Sequence, residues 1–158
     1  MPFTAPRMNP VESRAWLALV ATSQLLPTAL DAQLQADSGI SHFDYMILGS
    51  LNLAPERTMR MKELASAMNA APPRLSKAVQ RLEQRGYVER VPDSEDGRAT
   101  NAVLTQAGRR AMILATPGHI ETVRRGVLDR LSPEQLVALA DALEPILAGL
   151  DPEQHFCD

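Results

Sequence analysis

The sequence predicts a mainly α-helical protein with one small β-hairpin, an α+β fold. Over most of its 158 residues, apolar side chains recur at the spacing of amphipathic helices. Residues 87–104 break this pattern with two β-prone segments on either side of a turn-forming run, DSEDGR. The predicted order is helix, helix, a short segment, helix, helix, hairpin, helix, helix. Two short helices followed by a hairpin are the parts of a winged helix-turn-helix.

The first two helices are indicated by apolar spacing and by one capping residue. Residues 11–36 have the spacing of a helix, which we expect Pro27 to kink or break because proline lacks a backbone donor. Ser41 is a good N-cap for the second helix. Residues 57–60 are short enough to form either one turn or one strand.

The helix pair and the hairpin occupy the middle of the chain. Residues 61–68 predict the third helix, and Asn69 is expected to follow it in the left-handed conformation. The sequence AAPP then leads into a fourth helix that should end at Gly86, since proline suits the first helical positions. Alternating residues over 87–91 and 100–104 predict the two strands.

Two further helices complete the predicted fold. Thr105 is expected to cap a fifth helix that runs towards Leu131, although Pro117 and Gly118 should bend or interrupt it. A capping box begins at Ser132 and starts a sixth helix rich in leucine.

Charge is distributed unevenly along the chain, whose net charge is −3. Residues 57–110 contain eleven Lys and Arg against six Asp and Glu, a balance of +5. The remainder has five against thirteen, a balance of −8. A basic module between acidic flanks indicates a polyanion-binding surface, although an ordinary solvated surface explains the charge alone equally well.

The fourth helix carries candidate DNA contacts on the side away from its apolar residues. Arg74, Lys77 and Arg81 form a basic stripe, and Ser76 and Gln80 flank it. Arg and Lys suit guanine edges and phosphates, Gln suits adenine, and Ser suits either. The alternative is an ordinary amphipathic helix with a solvated basic face.

The hairpin turn adds a second candidate contact. Arg98 follows Gly97 at the tip of the turn, where a long cation on a narrow projection suits the minor groove. Asp96 is expected either to aim Arg98 or to cap the turn. The alternative for this segment alone is a generic charged surface turn.

Three blocks of the sequence form a pattern: KELA at 62–65, LSKAVQRLEQRGYVER at 75–90 and DGRATNAVLTQAGR at 96–109. In these blocks the sequence resembles the MarR family of bacterial transcription regulators. The resemblance implies that recognition-helix and wing contacts to double-stranded DNA fall on Ser76, Lys77, Arg81, Asp96 and Arg98. Arg74 and Gln80 are added from the helical wheel.

The resemblance also implies a homodimer whose first, fifth and sixth helices interlock and whose two lobes bind a pseudo-palindrome. The expected function is that of a repressor released from its operator by a small effector. The predicted organisation is a flexible arm (1–10), a dimerisation and ligand-cleft segment (11–56), the DNA-binding lobe (57–105), the dimerisation helices (106–150) and a tail (151–158).

Many members of the family bind anionic aromatic or carboxylic compounds in a cleft beside the dimer helices. The resemblance places that cleft between the first, second and fifth helices. Its candidate lining residues are Trp16, His42, Tyr45 and Arg109. For each of them, a place in the core, in an interface or in a helix turn is the alternative.

Other classes of function have little support. No catalytic arrangement, metal motif or phosphate-binding loop stands out, so we expect no enzyme, no metal and no cofactor. The lone Cys157 does not suit peroxide sensing, and the apolar runs are too short for a membrane span. These features fit a cytoplasmic protein. The alternative function is a winged-helix module that binds proteins but no specific DNA.

Overall fold

Residues 7–94 and 96–151 are described in the computed structural model. They form α1 (Pro10–Ser38), α2 (His42–Leu53), β1 (Thr58–Arg60), α3 (Met61–Ala67), α4 (Pro72–Gln84), β2 (Val88–Pro92), β3 (Thr100–Leu104), α5 (Gln106–Gly126) and α6 (Pro133–Leu150). Most of the predicted N-terminal arm and tail, including Cys157, lies outside the described residues. The predicted mainly helical fold with a small sheet is confirmed.

Local capping signals place the helix starts as predicted. The Ser41 side chain accepts a hydrogen bond from the Asp44 backbone N–H, and the Thr105 side chain accepts one from Gly108. Ser132 and Gln135 form the predicted capping box at the start of α6. These bonds satisfy backbone donors that the first helical turn leaves without a partner.

Of the two outcomes predicted at each proline, a bend or a break of the helix, the break is wrong. α1 continues through Pro27, and α5 continues through Pro117 and Gly118. Each proline is exposed, so the carbonyl that loses its partner lies on the outer side of the helix. α5 also ends earlier than expected, at Gly126, and a short 3₁₀ turn (Leu128–Arg130) precedes α6.

The sheet has three antiparallel strands in the order β1-β3-β2. Residues 57–60 were predicted to form either one turn or one strand, and they contain both. Arg57 ends a 3₁₀ turn, and β1 follows it. β1 pairs with β3 from Thr58 opposite Val103 to Arg60 opposite Asn101. The wing hairpin is therefore attached, through β3, to the strand that leads into α3.

The core lies where α2, α3, α4 and the sheet meet the second half of α1. Its fully buried side chains include Leu34, Ile47, Leu48, Leu51, Leu64, Leu75, Val79, Leu82 and Val88. Large apolar side chains are instead exposed on the first half of α1, and α6 has no buried residue. This core fixes α4 and the wing relative to α2.

Candidate nucleic-acid interface

α4 presents its polar residues to solvent because a narrow apolar stripe anchors it. Leu75, Ala78, Val79 and Leu82 are buried, as the sequence pattern predicts. Pro72 takes the first helical position, after a tight link in which the Ala70 N–H donates to the Ala65 carbonyl. The second helix of the predicted pair therefore has its N-terminal turns at the surface.

The five predicted contacts on α4 are all exposed, and they are spread over two edges and the outward side of the helix. Because successive residues turn by about 100°, Lys77 and Gln80 point away from the buried stripe. Arg74 and Arg81 lie on the edge that faces α2, and Ser76 lies on the edge that faces the wing.

The two arginines on the α2 edge have partners there. The Arg74 guanidinium lies 4.3 Å from the centroid of the Phe43 ring. Arg81 Nη2 lies 2.7 Å from Asp44 Oδ1, and the Asp44 side chain is only 6% exposed. Sequence reasoning could not detect these contacts, because Phe43 and Asp44 come from a different helix.

A groove of about 1140 Å³ separates the start of α4 from the wing. Ser76, Asp96 and Arg98 line it, so three predicted residues from two elements are brought together. Sequence reasoning missed three further cations in its walls. These are Arg60, Lys62 and Arg90.

Two of these additional cations are held by carboxylates. Arg60 Nε lies 3.1 Å from Asp93 Oδ2, and Arg90 Nη2 lies 2.7 Å from Glu83 Oε2. The hydrogen bonds from Arg90 hold the pKa of Glu83 below its ordinary value. Alternation along β2 and the KELA block were the available signals for Arg90 and Lys62.

The wing turn is organised around Asp93, a residue that sequence reasoning did not single out. Its side chain is 8% exposed. It accepts hydrogen bonds from the Arg60 guanidinium, from Asn101 Nδ2 and from the Asp96 backbone N–H. Asp96 Oδ1 in turn accepts from the Arg98 backbone N–H at 3.0 Å. Asp96 therefore caps the turn, and Arg98 remains exposed at its tip.

A second cavity, of about 460 Å³, lies between α1, α2 and the start of α4. Of the four predicted effector residues, His42 is the one that lines it. Trp16 lies eleven residues before Pro27, about 16 Å along α1. Arg109 Nε donates to Asn52 Oδ1 at 3.3 Å, at the far end of α2.

The fourth predicted effector residue, Tyr45, belongs to a cluster behind this cavity. Its ring lies 4.5 Å from that of His119, and its hydroxyl lies 3.2 Å from Thr116 Oγ1. His42 and His119 are stacked at 5.8 Å. Burial lowers the pKa of both histidines; Asp31 partly opposes the effect at His42, and His42 adds to it at His119.

The sequence and the structure of this chain are similar to those of known proteins of one family. A family model described as the MarR family matches residues 38–99. The crystal structure of Sco3205, a MarR family transcriptional regulator from Streptomyces coelicolor, in complex with DNA, is 36% identical with a TM-score of 0.87. The match covers 96% of this chain and 94% of that one. The chain belongs to the MarR family.

Other solved structures agree with this assignment. AbsC, a MarR family transcriptional regulator from the same organism, is 34% identical with a TM-score of 0.85, over 94% of this chain and 99% of that one. BldR, a transcriptional regulator from Sulfolobus solfataricus, is 23% identical with a TM-score of 0.75, over 89% and 99%. At that identity BldR shows the fold alone. No curated sequence matches the chain.

The same structure bears on two other kinds of site. Within residues 7–94 and 96–151, no helix is both long and apolar enough to cross a membrane. Among those residues, no three His, Cys, Asp or Glu side chains are grouped so that they could hold a metal ion.

Proposed function

We propose that this regulator is a homodimeric repressor that binds a pseudo-palindromic DNA site and is released from it by a small anionic or aromatic effector. The observation that carries the proposal is the groove beside α4, where Lys62, Ser76 and Arg98 line a space between a helix pair and a wing. Sco3205, the relative at 36% identity, has been solved with DNA.

In this proposal α4 enters the major groove and the wing reaches the adjacent minor groove. Lys77 and Gln80, on the outward side, and Ser76, on the wing side, are the base and phosphate contacts of α4. Arg98, at the exposed tip of the turn, is the minor-groove contact, and Asp96 holds the turn in shape. Residues 57–105 form the DNA-binding lobe.

Homodimer formation is supported by the apolar surface outside that lobe. On α6, Val137 is 61% exposed and Leu150 is 79% exposed, and on α1 Leu17 is 65% exposed. Exposed apolar side chains on α5 include Leu114 at 71%. Apolar surface of this extent is typical of an interface. A second copy of the chain would cover it by a two-fold contact.

The effector is proposed to bind in the 460 Å³ cavity, which is smaller than the groove and partly apolar. Phe43, Met46 and Met68 provide apolar walls, Arg74 provides a cation, and the His42 ring provides an N–H donor, beside the Asp31 carboxylate that accepts the His42 backbone N–H. Arg74 thus replaces Arg109 as the proposed cation. An occupant there would touch α4 directly, because Arg74 is part of that helix.

The first test is a titration of the purified protein with the DNA upstream of its own gene at two salt concentrations. Tight binding at one palindromic site should weaken steeply with salt, with a slope of about 0.9 per neutralised phosphate. Sedimentation should give the mass of a dimer, alone and on a full site. Transcription from the bound promoter in a purified system should fall when the protein is added.

A different outcome would favour the interaction module. Weak binding that does not depend on sequence would contradict the regulator proposal and leave a winged-helix protein that binds other proteins. A monomer at micromolar concentration would contradict the dimer. Small aromatic carboxylates that neither stabilise the protein nor weaken DNA binding would contradict the effector part alone.

A further inference from the structure

Asp44 is a buried carboxylate at the start of α2. The residue as a whole is 5% exposed, and among the described residues it is the one charged or polar residue that is buried. Its Oδ2 accepts the Ser41 N–H at 3.2 Å in the capping box, and its Oδ1 accepts from Arg81 Nη2 at 2.7 Å. Both oxygens are therefore used, one for the helix cap and one for a cation from α4.

Arg81 is the partner that makes this burial tolerable. A buried charge is costly unless an opposite charge and hydrogen bonds compensate it. Among the described residues, Arg81 is the one cation that forms an ion pair with Asp44. If Arg81 turned towards a DNA phosphate, it would leave this carboxylate without a compensating charge in a site that water hardly reaches.

A second contact lies on the same edge of α4. Arg74 precedes Arg81 by seven residues, two helical turns, so the two side chains lie nearly above one another. Arg74 stacks on Phe43, the residue before Asp44. The first turn of α2 is therefore held by α4 at two points, one stacked and one ionic.

We propose that Arg81 is a positioning residue that sets the orientation of α4 through Asp44, rather than a DNA phosphate contact. This inference rests on the proposed function, since it concerns how the recognition helix is held for DNA. It assigns the direct contacts of α4 to its outward and wing-facing residues, and it makes the first turn of α2 part of the DNA-binding machinery.

The test compares the salt dependence of DNA binding among four proteins. The wild-type chain first selects a duplex from a random-sequence library, and that duplex serves for every titration. The variants are R81Q, D44N and, as the matched control, K77Q, which removes an exposed cation one helical turn earlier. Circular dichroism melting of each variant and of the double variant R81Q/D44N gives the stability.

The expected results distinguish a residue that positions α4 from a residue that contacts a phosphate. K77Q should reduce the salt slope by about 0.9 for each half-site, the value of one phosphate contact, and so by about 1.8 for a dimer on a full site. R81Q and D44N should each weaken binding by roughly tenfold at fixed salt with the slope unchanged, because they loosen α4 but remove no phosphate contact. R81Q should have a lower Tm than the wild type. R81Q/D44N should recover part of that decrease in Tm, since the double variant no longer buries an unpaired charge.

Three results would overturn the inference. A slope that falls in R81Q as it does in K77Q would make Arg81 a phosphate contact. D44N binding that equals or exceeds the wild type would show that Arg81 needs no anchor, and this result remains informative if R81Q fails to fold. A wild-type protein that selects no duplex would overturn the proposed function and this inference together, whereas the first two results leave the proposed function intact.

Discussion

Gly108 lies in the first turn of α5, where this helix meets the beginning of the wing. A Cβ added there would overlap the Tyr87 carbonyl oxygen and would lie 2.8 Å from its carbon and 2.9 Å from Leu104 Cδ1. The same carbonyl accepts a hydrogen bond from the Thr105 N–H at 3.1 Å. We therefore expect Gly108→Ala to force the chain at Tyr87 away from α5 and to weaken that bond.

Three contributions decide the size of the effect on the free energy of unfolding. Overpacking of a close contact costs about 1–3 kcal/mol. A weakened backbone hydrogen bond costs about 1 kcal/mol. Alanine in place of glycine within a helix returns about 1 kcal/mol. The net loss is about 1–3 kcal/mol, which corresponds to a fall in Tm of roughly 3–10 °C for a chain of this length.

The assay is calorimetric melting of both proteins at one protomer concentration, because the melting of the proposed dimer would depend on concentration. Gly49→Ala is the matched control. Gly49 lies inside α2, and a Cβ there would meet nothing within 4 Å. This variant should raise Tm by about 2–4 °C, from helix propensity alone. A Gly108→Ala protein as stable as the wild type would refute the close approach between α5 and Tyr87.

Three further predictions concern the wing and the histidines. Arg98→Ala should weaken binding to the selected duplex and reduce the salt slope by about 0.9 for each half-site, about 1.8 for a dimer on a full site, without changing Tm; normal affinity would contradict the wing contact. Asp93→Asn should cost about 1.5–3 kcal/mol through its bonds to Arg60 and the turn, and should weaken DNA binding; unchanged binding would show that the turn needs no such anchor. Burial lowers the native pKa of His42 and His119 below 6.5. The unfolded chain therefore takes up protons first, and Tm should fall as pH drops below about 6.5. His119→Gln should make the decrease of Tm with falling pH less steep, and an unchanged pH profile of Tm would contradict this role of His119.

The helix starts could be predicted because their causes are local. Ser41, Thr105 and Ser132 each accept from a backbone N–H three residues ahead, so the residue and its spacing contain the whole signal. The structure of residues 57–60 does not have a local cause. Thr58–Arg60 becomes a strand because β3 lies beside it, and no property of three residues indicates that pairing.

The continuation of α1 and α5 through their prolines could not be predicted, for a related reason. Proline removes one hydrogen bond and crowds one carbonyl, which is decisive in a short isolated helix. In α1, however, Leu30 and Leu34 are buried after Pro27, so packing holds the helix together beyond the missing bond. Next to each proline, a threonine hydroxyl (Thr28 or Thr116) donates to the carbonyl four residues earlier. Tertiary packing therefore outweighs the local penalty.

The candidate site shows which features of α4 a helical wheel predicts and which it does not. A wheel gives the direction of each side chain from the helix axis, and it correctly separated the buried stripe of α4 from its polar residues. It could not show that the polar arc has two edges with different neighbours. Arg81 lies on the edge next to α2 and meets Asp44, and Ser76 lies on the edge next to the wing and lines the groove.

The same limit affects the count of cations available to DNA. The sequence of α4 offers three, but Arg74 and Arg81 are held against α2, and Lys77 is the one on the outward side. The groove supplies Lys62 from α3 and Arg98 from the wing, which a wheel of α4 does not contain. With Arg81 in a positioning role, the salt slope of each half-site should follow the cations gathered from three elements rather than the basic stripe of one helix.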